Sequence, residues 1–427
     1  MTQTITTSPT YDLAAICRLL APAPALEGPR GHIVRVRDTA GLYAAVAGAG
    51  DDTTILLEDG VYRCQDLRIR QGGLAIRSAS GDRDKVILDA DDQLVRMIVL
   101  RGAKDFLLAD LTMRNCRHYG LLILGDSDVQ RPRVHNVRFQ NIWTRAVKGT
   151  HAYRVDDTMA QLLDDETVER IRPRGGSIRH CLFYCDRVKP YADEFNGDYV
   201  SGIDMMHLDG WAIADNAFVG IRGRNGRGRG GIFVWVDSRN VVAERNVFVG
   251  CDRAICFGNP SGDPLHMTGG IARNNLVVGG AFRAVEMVRT RDTLVAHNTV
   301  WTPRRQHEAI VFEQGAAGGR CVNNLVHGAV ALAGEVRQQG NLVGDLDGWF
   351  HRPEAGDLRL TPAAASAVGA GLRAAEVTDD FHGRPRPEAT TIGACEGCSP
   401  LDIPGVKTRA KTRDILSAVR EVRRRER

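Results

Sequence analysis

The chain has 427 residues, 43% of them hydrophobic and 25% charged, a balance that excludes intrinsic disorder. It is longer than one compact core allows, so it is either several domains or one elongated repeat. The formal charge is +4, but residues 407–427 hold nine Lys/Arg and three Asp/Glu, a net +6, so the other residues sum to −2 and the body of the chain is not a basic, nucleic-acid-binding one.

Glycine is abundant (46) and aromatics are few (6%), which favours many turns over large aromatic cores. No stretch approaches the roughly 18 apolar residues of a spanning helix, so no membrane association is expected. No basic segment followed by an apolar run opens the chain. This reads as a cytoplasmic protein without a signal peptide, secreted only if the start is mis-assigned, with its ten cysteines as free thiols. Thr6, Thr7 and Ser8 lead into Asp12-Leu-Ala-Ala-Ile, a short capped helix. Leu42-Tyr-Ala-Ala-Val, Ile55-Leu-Leu and Gly60-Val-Tyr62 then read as a helix feeding a first strand.

Two repeated elements dominate the rest of the chain. One is Asn followed by three apolar positions, around Asn136, Asn216, Asn246, Asn275, Asn298, Asn324 and Asn341, with Cys181 in the Asn place once. The other, small-apolar-X-apolar-X, begins at Gly120, Ala146, Gly202, Gly231, Ala254, Ala284 and Ala309. Period-two alternation with β-branched residues predicts strands. Short strands separated by Gly, Asn and Asp turns make one rung of a parallel β-helix, and the asparagines are expected to stack between rungs.

Within the second element, position two is Leu121, Val147, Ile203, Ile232, Ile255, Val285 or Ile310 and points inward. Position three then points outward: Leu122, Lys148, Asp204, Phe233, Cys256, Glu286 and Val311. Position five adds Met206 and Trp235. Charges mixed with aromatics suit a carbohydrate groove, since rings stack on sugars while charges meet uronates; the alternative is a face packed under a loop, with Lys148 and Asp204 as an ion pair. The gap from Ala146 to Gly202 holds an apolar-acidic stretch over 156–171 that reads as a helical insertion bordering the groove. Residues 221–230 hold four Arg and four Gly. They resemble a nucleic-acid-binding tract, but sitting inside a rung they read as a basic turn whose Arg222, Arg224 and Arg229 clamp carboxylates. Arg145, Asp252 and Arg253 approach the same edge. His207 with Asp204 and Asp209 forms a carboxylate-rich turn that offers oxygen ligands to Ca²⁺ without an EF-hand spacing. Cys395-Glu-Gly-Cys398 is a lone pair, short of a four-ligand zinc site, and no metal residue is assigned.

The opening at Leu42–Tyr62, and the closing Asp357-Leu-Arg-Leu-Thr-Pro, Asp380, Gly383-Arg-Pro-Arg-Pro and Ile392-Gly-Ala, resemble right-handed parallel β-helix proteins of the pectate lyase superfamily, most narrowly the alginate lyase and chondroitinase B type of polysaccharide lyase. The resemblance implies an all-β solenoid over 33–395 with an N-terminal capping helix and an insertion near 151–175. It would follow a 1–32 segment with a short helix and precede a 396–427 basic tail, which Ile415, Leu416, Val419 and Val422 make a peripheral helix or a disordered segment. It implies a lyase that breaks a uronate-containing glycan by β-elimination, with a Lys base, an Arg acid and often Ca²⁺ as neutraliser. Lys148, Arg145, Arg253 and Asp204 are the catalytic candidates. Arg222, Arg224, Arg229, Phe233, Trp235, His207, Asp237 and Asp252 are the substrate-binding ones. A glycoside hydrolase using Asp204 with Asp237 or Asp252, a uronate epimerase and a non-catalytic glycan binder are the alternatives. The expected partner is an acidic carbohydrate, the expected state a monomer or weak homo-oligomer. Lys189, outside the ladder, is expected to matter little.

Overall fold

A computed structural model describes residues 11–151, 153–155, 160–262, 265–303, 308–313 and 315–397. Thr6–Ser8, Met159, Cys398 and the tail from Lys407 lie outside the described residues.

The chain coils as a right-handed parallel β-helix. Its first face is a ladder from His32–Val36 to Glu335–Gln339. The second and third faces form one 19-stranded sheet. They merge because Val247–Phe257 and Leu276–Met287, of 11 and 12 residues, run unbroken around the corner. Every strand pair between rungs is parallel; among the described residues the antiparallel strand pairs are two hairpins outside the coil, Tyr153–Val155 with Ala160–Leu162 and Phe350–Arg352 with Asp357–Leu360.

Alternation explains the core. Leu121, Val147, Ile203, Ile232, Ile255, Val285 and Ile310 are all fully buried inside the coil, as their position predicts. Phe139, Phe183, Phe218 and Phe248 stack rung on rung at 4.8, 4.5 and 4.8 Å between centroids. The asparagine ladder is real from Asn216 onward. Each side-chain amide donates to the next carbonyl: Asn216 to Asn246 (3.0 Å), then Asn275 (3.1 Å), Asn298 (2.9 Å), Asn324 (2.9 Å) and Asn341 (2.9 Å). Asn136 is not a rung of it. It sits one position earlier, in a left-handed conformation (φ 52°) shared with His180, Asp215 and Arg245, because Arg138 pairs with Leu182 and so puts Val137 in the ladder column.

Helix α1 (Leu13–Cys17) is capped by Asp12, whose Oδ1 accepts from Ala15 N at 2.9 Å. Helix α2 (Thr39–Gly48) closes the N-terminal end of the coil with Leu42 and Val46. The coil ends earlier than the sequence suggests. Its last parallel pairing joins Leu325–His327 to Leu342–Gly344. The segment Asp357–Leu360, which alternates like a rung but lacks a ladder asparagine, pairs antiparallel instead. Residues 345–397 return along the outside: Arg386 donates to Asn274 Oδ1 (2.8 Å) and Ala394 N to Thr299 Oγ1 (2.9 Å). With Ile16 of α1, Phe350, Leu358 and Phe381 cover an apolar outer row that includes Ala217, Val219 and Val249. Among the described residues, α1 and Phe350, Leu358 and Phe381 therefore cover the second face, while Leu26 and Val377 pack on the first.

The insertion is only half helical. Tyr153–Val155 pairs antiparallel with Ala160–Leu162, and α3 spans Asp165–Ile171, with Asp164 Oδ1 accepting from Thr167 N at 2.8 Å.

Candidate functional site

On the third face, Leu122, Lys148, Asp204, Phe233, Cys256, Glu286 and Val311 stand in one register column. The column points outward, but it is not an open groove. Lys148 is 6% exposed and Asp204, Phe233 and Cys256 are 0%. A segment over 186–200 folds across it, pinned by Asn141 Nδ2 to Asp186 (3.0 Å) and by Lys189 Nζ to Thr144 Oγ1 (3.4 Å). Lys189 is thus a buried anchor rather than an indifferent position. This segment, and not α3, borders Lys148.

Beneath it lies a compact polar cluster. Lys148 Nζ donates to Asp204 Oδ1 at 2.9 Å, and Arg145 Nε to Asp204 Oδ2 at 2.7 Å. Trp235 Nε1 also donates to Asp204 Oδ1, at 3.1 Å. Arg145 Nη1 reaches Tyr119 Oη at 2.9 Å and Glu194 Oε2 at 3.0 Å. Its guanidinium lies 4.0 Å from the Tyr199 ring centroid, and the Phe195 ring, 73% exposed, stacks on Tyr199 at 5.2 Å.

Burial pushes the Lys148 ammonium below the ordinary lysine range; Arg145 adds to the effect and Asp204 opposes it. Burial alone would raise the Asp204 carboxyl, but Lys148 and Arg145 outweigh it and hold it below the usual range, ionised. Burial also opposes the charge on Arg145, yet Asp204 and the tyrosines keep it firmly protonated. Burial raises Tyr119 and Tyr199.

Arg253 is not part of this cluster. It belongs to the column of Arg145, Ser201 and Gly230, three rungs or about 14 Å from Arg145. Its Nε pairs with Glu286 at 2.8 Å, and Arg283 bridges Glu286 (2.9 Å) and Glu313. Between the two groups, Arg229 is half-buried with its guanidinium 4.5 Å from the Phe233 ring centroid. Its Nη2 is buried without a hydrogen-bond partner.

Asp252, Arg222 and Arg224 of the basic turn have partners within the protein. Asp252, 0% exposed, accepts from Gly223 N (2.8 Å) and Gly228 N (2.9 Å) and lies 3.6 Å from Arg222. It holds the turn closed and has no face for substrate. Arg224 donates to Pro190 O at 3.2 Å. Phe233 lies beneath Trp235, stacked at 5.1 Å, so only the half-buried Trp235 offers a ring edge outward. Asp237 is bound by Arg172 at 2.5 Å and Arg239 at 3.2 Å, and His207 lies beside it under α3, against His151 at 4.4 Å. Burial, with His151 and Arg172 adding, pushes His207 down to about 3.

Ca²⁺ does not fit the carboxylate turn. Both Asp204 oxygens already face cations, and Asp209 is held by Arg174 at 3.6 Å and Asn240 at 3.0 Å. Sequence reasoning missed Tyr119, Glu194, Phe195 and Tyr199. Tyr119 was within reach, since it directly precedes Gly120 and pairs in register with Arg145. The other three sit in the aperiodic gap.

No family model matches the chain, and no curated protein matches it by sequence. Among solved structures, the chain is similar to pectate lyase-like parallel β-helix proteins. An alginate lyase from Paenibacillus sp. str. FPU-7 aligns with a TM-score of 0.48 at 11% identity, over 73% of this chain and 99% of that one. Pectate lyase Pel9A aligns with a TM-score of 0.46 at 13% identity, over 83% and 90%. The A-module of Azotobacter vinelandii mannuronan C-5 epimerase AlgE6 aligns with a TM-score of 0.45 at 11% identity, over 71% and 93%. No residue's role passes from them to this chain.

Among the described residues no helix is long and apolar enough to cross a membrane.

Proposed function

We propose that the chain is a carbohydrate-active β-helix enzyme, a lyase that cleaves a uronate-containing poly- or oligosaccharide by β-elimination on its third face. The observation that carries this reading is the Lys148–Asp204–Arg145 cluster, buried on the ladder beneath Tyr119 and Tyr199 with Phe195 exposed at its rim. β-Elimination needs a neutralised carboxylate, a base at C5 and a proton for the leaving oxygen. Arg229, whose Nη2 has no protein partner, supplies the positive charge for the uronate. The Lys148 amine, favoured by burial, takes the C5 proton. That electron pair becomes the C4–C5 double bond as the C4–O bond breaks, and the leaving oxygen takes the Tyr119 phenol proton. Arg145, permanently charged, stabilises the phenolate. Solvent then reprotonates Tyr119 and accepts the proton from Lys148.

One observation favours a second reading, a glycoside hydrolase. Asp204 and Glu194 bind the same Arg145 guanidinium, which keeps two carboxylates within the roughly 5–10 Å that hydrolysis uses. Asp237 and Asp252 are committed elsewhere.

The test is a panel of uronate glycans followed by ultraviolet absorbance of the unsaturated product. Absorbing product lost in Lys148→Ala and kept in the exposed Lys85→Ala supports the lyase. New reducing ends without absorbance, lost in Glu194→Gln, support the hydrolase and overturn it.

A further inference from the structure

A cavity of about 740 Å³ lies between α3 and the turns that follow the third-face strands. Such a volume holds one or two sugar rings. We infer that this cavity binds a neutral pyranose ring, so that the substrate carries a neutral sugar beside the uronate. The assignment of that neighbour rests on the lyase reading above; the binding itself does not.

Three features converge on this chemistry. His207 is 6% exposed and lines the cavity, and neither ring nitrogen has a hydrogen-bond partner. An uncharged imidazole offers one donor and one acceptor, which matches hydroxyl groups that do both. Leu163, Val168, Val236 and Leu265 supply an apolar wall, the counterpart of the C–H face of a pyranose. Of the charged side chains in the wall, all but Asp165, itself an anion, pair with one another. Arg172 pairs with Asp237 (2.5 Å) and Glu169 (3.0 Å), and Arg239 with Glu169 (3.1 Å). An anionic ring entering there would have to separate these pairs, whereas a neutral ring leaves them intact.

The position ties the cavity to the cluster. His207 follows Asp204 by three residues, about 10 Å of extended strand. A ring beside His207 and a uronate over Lys148 therefore fit within one oligosaccharide. A polymer of uronates alone would place a charge against the closed ion pairs.

The experiment needs no turnover. Methyl β-D-glucopyranoside, methyl β-D-galactopyranoside and methyl β-D-glucuronoside are titrated into the full chain. Binding is read by saturation-transfer NMR and by the histidine ring ¹⁵N resonances, with the His207 signal assigned from His207→Leu. At least one neutral glycoside is expected to bind with a Kd of about 1–10 mM and to move the His207 signal, with the uronoside at least tenfold weaker. Val168→Trp, which fills the cavity from a surface helix, should abolish saturation transfer while the melting temperature stays within a few degrees; this variant also locates the site should His207→Leu not fold. Absence of binding by both neutral glycosides at about 100 mM, binding that survives Val168→Trp, or a uronoside that binds as tightly overturns the inference. A glycan panel without unsaturated product removes the lyase reading and leaves this result standing. Failure of the neutral glycosides removes the site and leaves the lyase reading.

Discussion

Lys148 and Asp204, 56 residues apart in the chain, face each other across adjacent rungs with Nζ and Oδ1 at 2.9 Å and almost no solvent between them. The pair is anchored on its far side by Arg145, so one carboxylate answers two cations. This arrangement governs stability, pH response and chemistry at once.

Asp204→Asn should cost about 3–5 kcal/mol of unfolding free energy, because it leaves two buried cations without their counter-charge. The carboxyl is held below its ordinary value in the folded chain. Its stabilisation is therefore present above the unfolded value near pH 4 and is lost as pH falls through the lower folded value. Urea unfolding of both proteins should give a constant gap at neutral pH that narrows below about pH 4. A gap that widens on acidification would contradict the ion pair.

Lys148→Ala should lower kcat/KM on the true substrate by about 100-fold or more, the usual contribution of a positioned base, with Lys85→Ala near wild type. Wild-type kcat/KM should climb with pH as the buried amine deprotonates. Because Asp204 opposes that deprotonation, any folded Asp204→Asn should carry its acidic limb to lower pH. A limb that moves upward would assign Lys148 to carboxylate binding.

Phe195 is exposed yet stacked on Tyr199, and its φ of 48° lies between those of Glu194 (32°) and Asn196 (57°). Such a backbone is costly for side-chain-bearing residues. Phe195→Ala should raise KM about 3- to 10-fold through lost ring stacking, with kcat and melting temperature little changed. Steady-state kinetics beside a thermal melt separates this from a folding defect.

Asn275 accepts from Asn246 N and Nδ2 and donates to Asn298 and Ala243 O. Asn275→Ala should cost about 2–3 kcal/mol by stranding those buried groups. Asn136→Ala, outside the ladder, should cost less than about 1 kcal/mol. Equal losses in denaturant titrations would put Asn136 back into the stack.

The coil, its inward and outward residues and its asparagine spine from Asn216 were legible in the order of amino acids. They follow from alternation and rung spacing, which are local properties of the backbone repeated many times. The same order offered a Lys148–Asp204 ion pair as one of two open readings, but the 56 residues from Ala146 to Gly202 are enough for about two rungs, and only the fold stacked the two strands directly. Whether that face met solvent was settled only by the assembled fold. The segment over 186–200 has no period to read, and its place over Lys148 depends on anchors such as Asn141 with Asp186, 45 residues apart. Likewise Arg253 was grouped with Arg145 because both precede the same repeated element. Only the stacking order placed it three rungs away, on Glu286. The early end of the coil was hidden for a related reason. Asp357–Leu360 alternates as any rung does, and whether an alternating strand stacks or folds back depends on which apolar surface remains uncovered, a property of the assembled molecule.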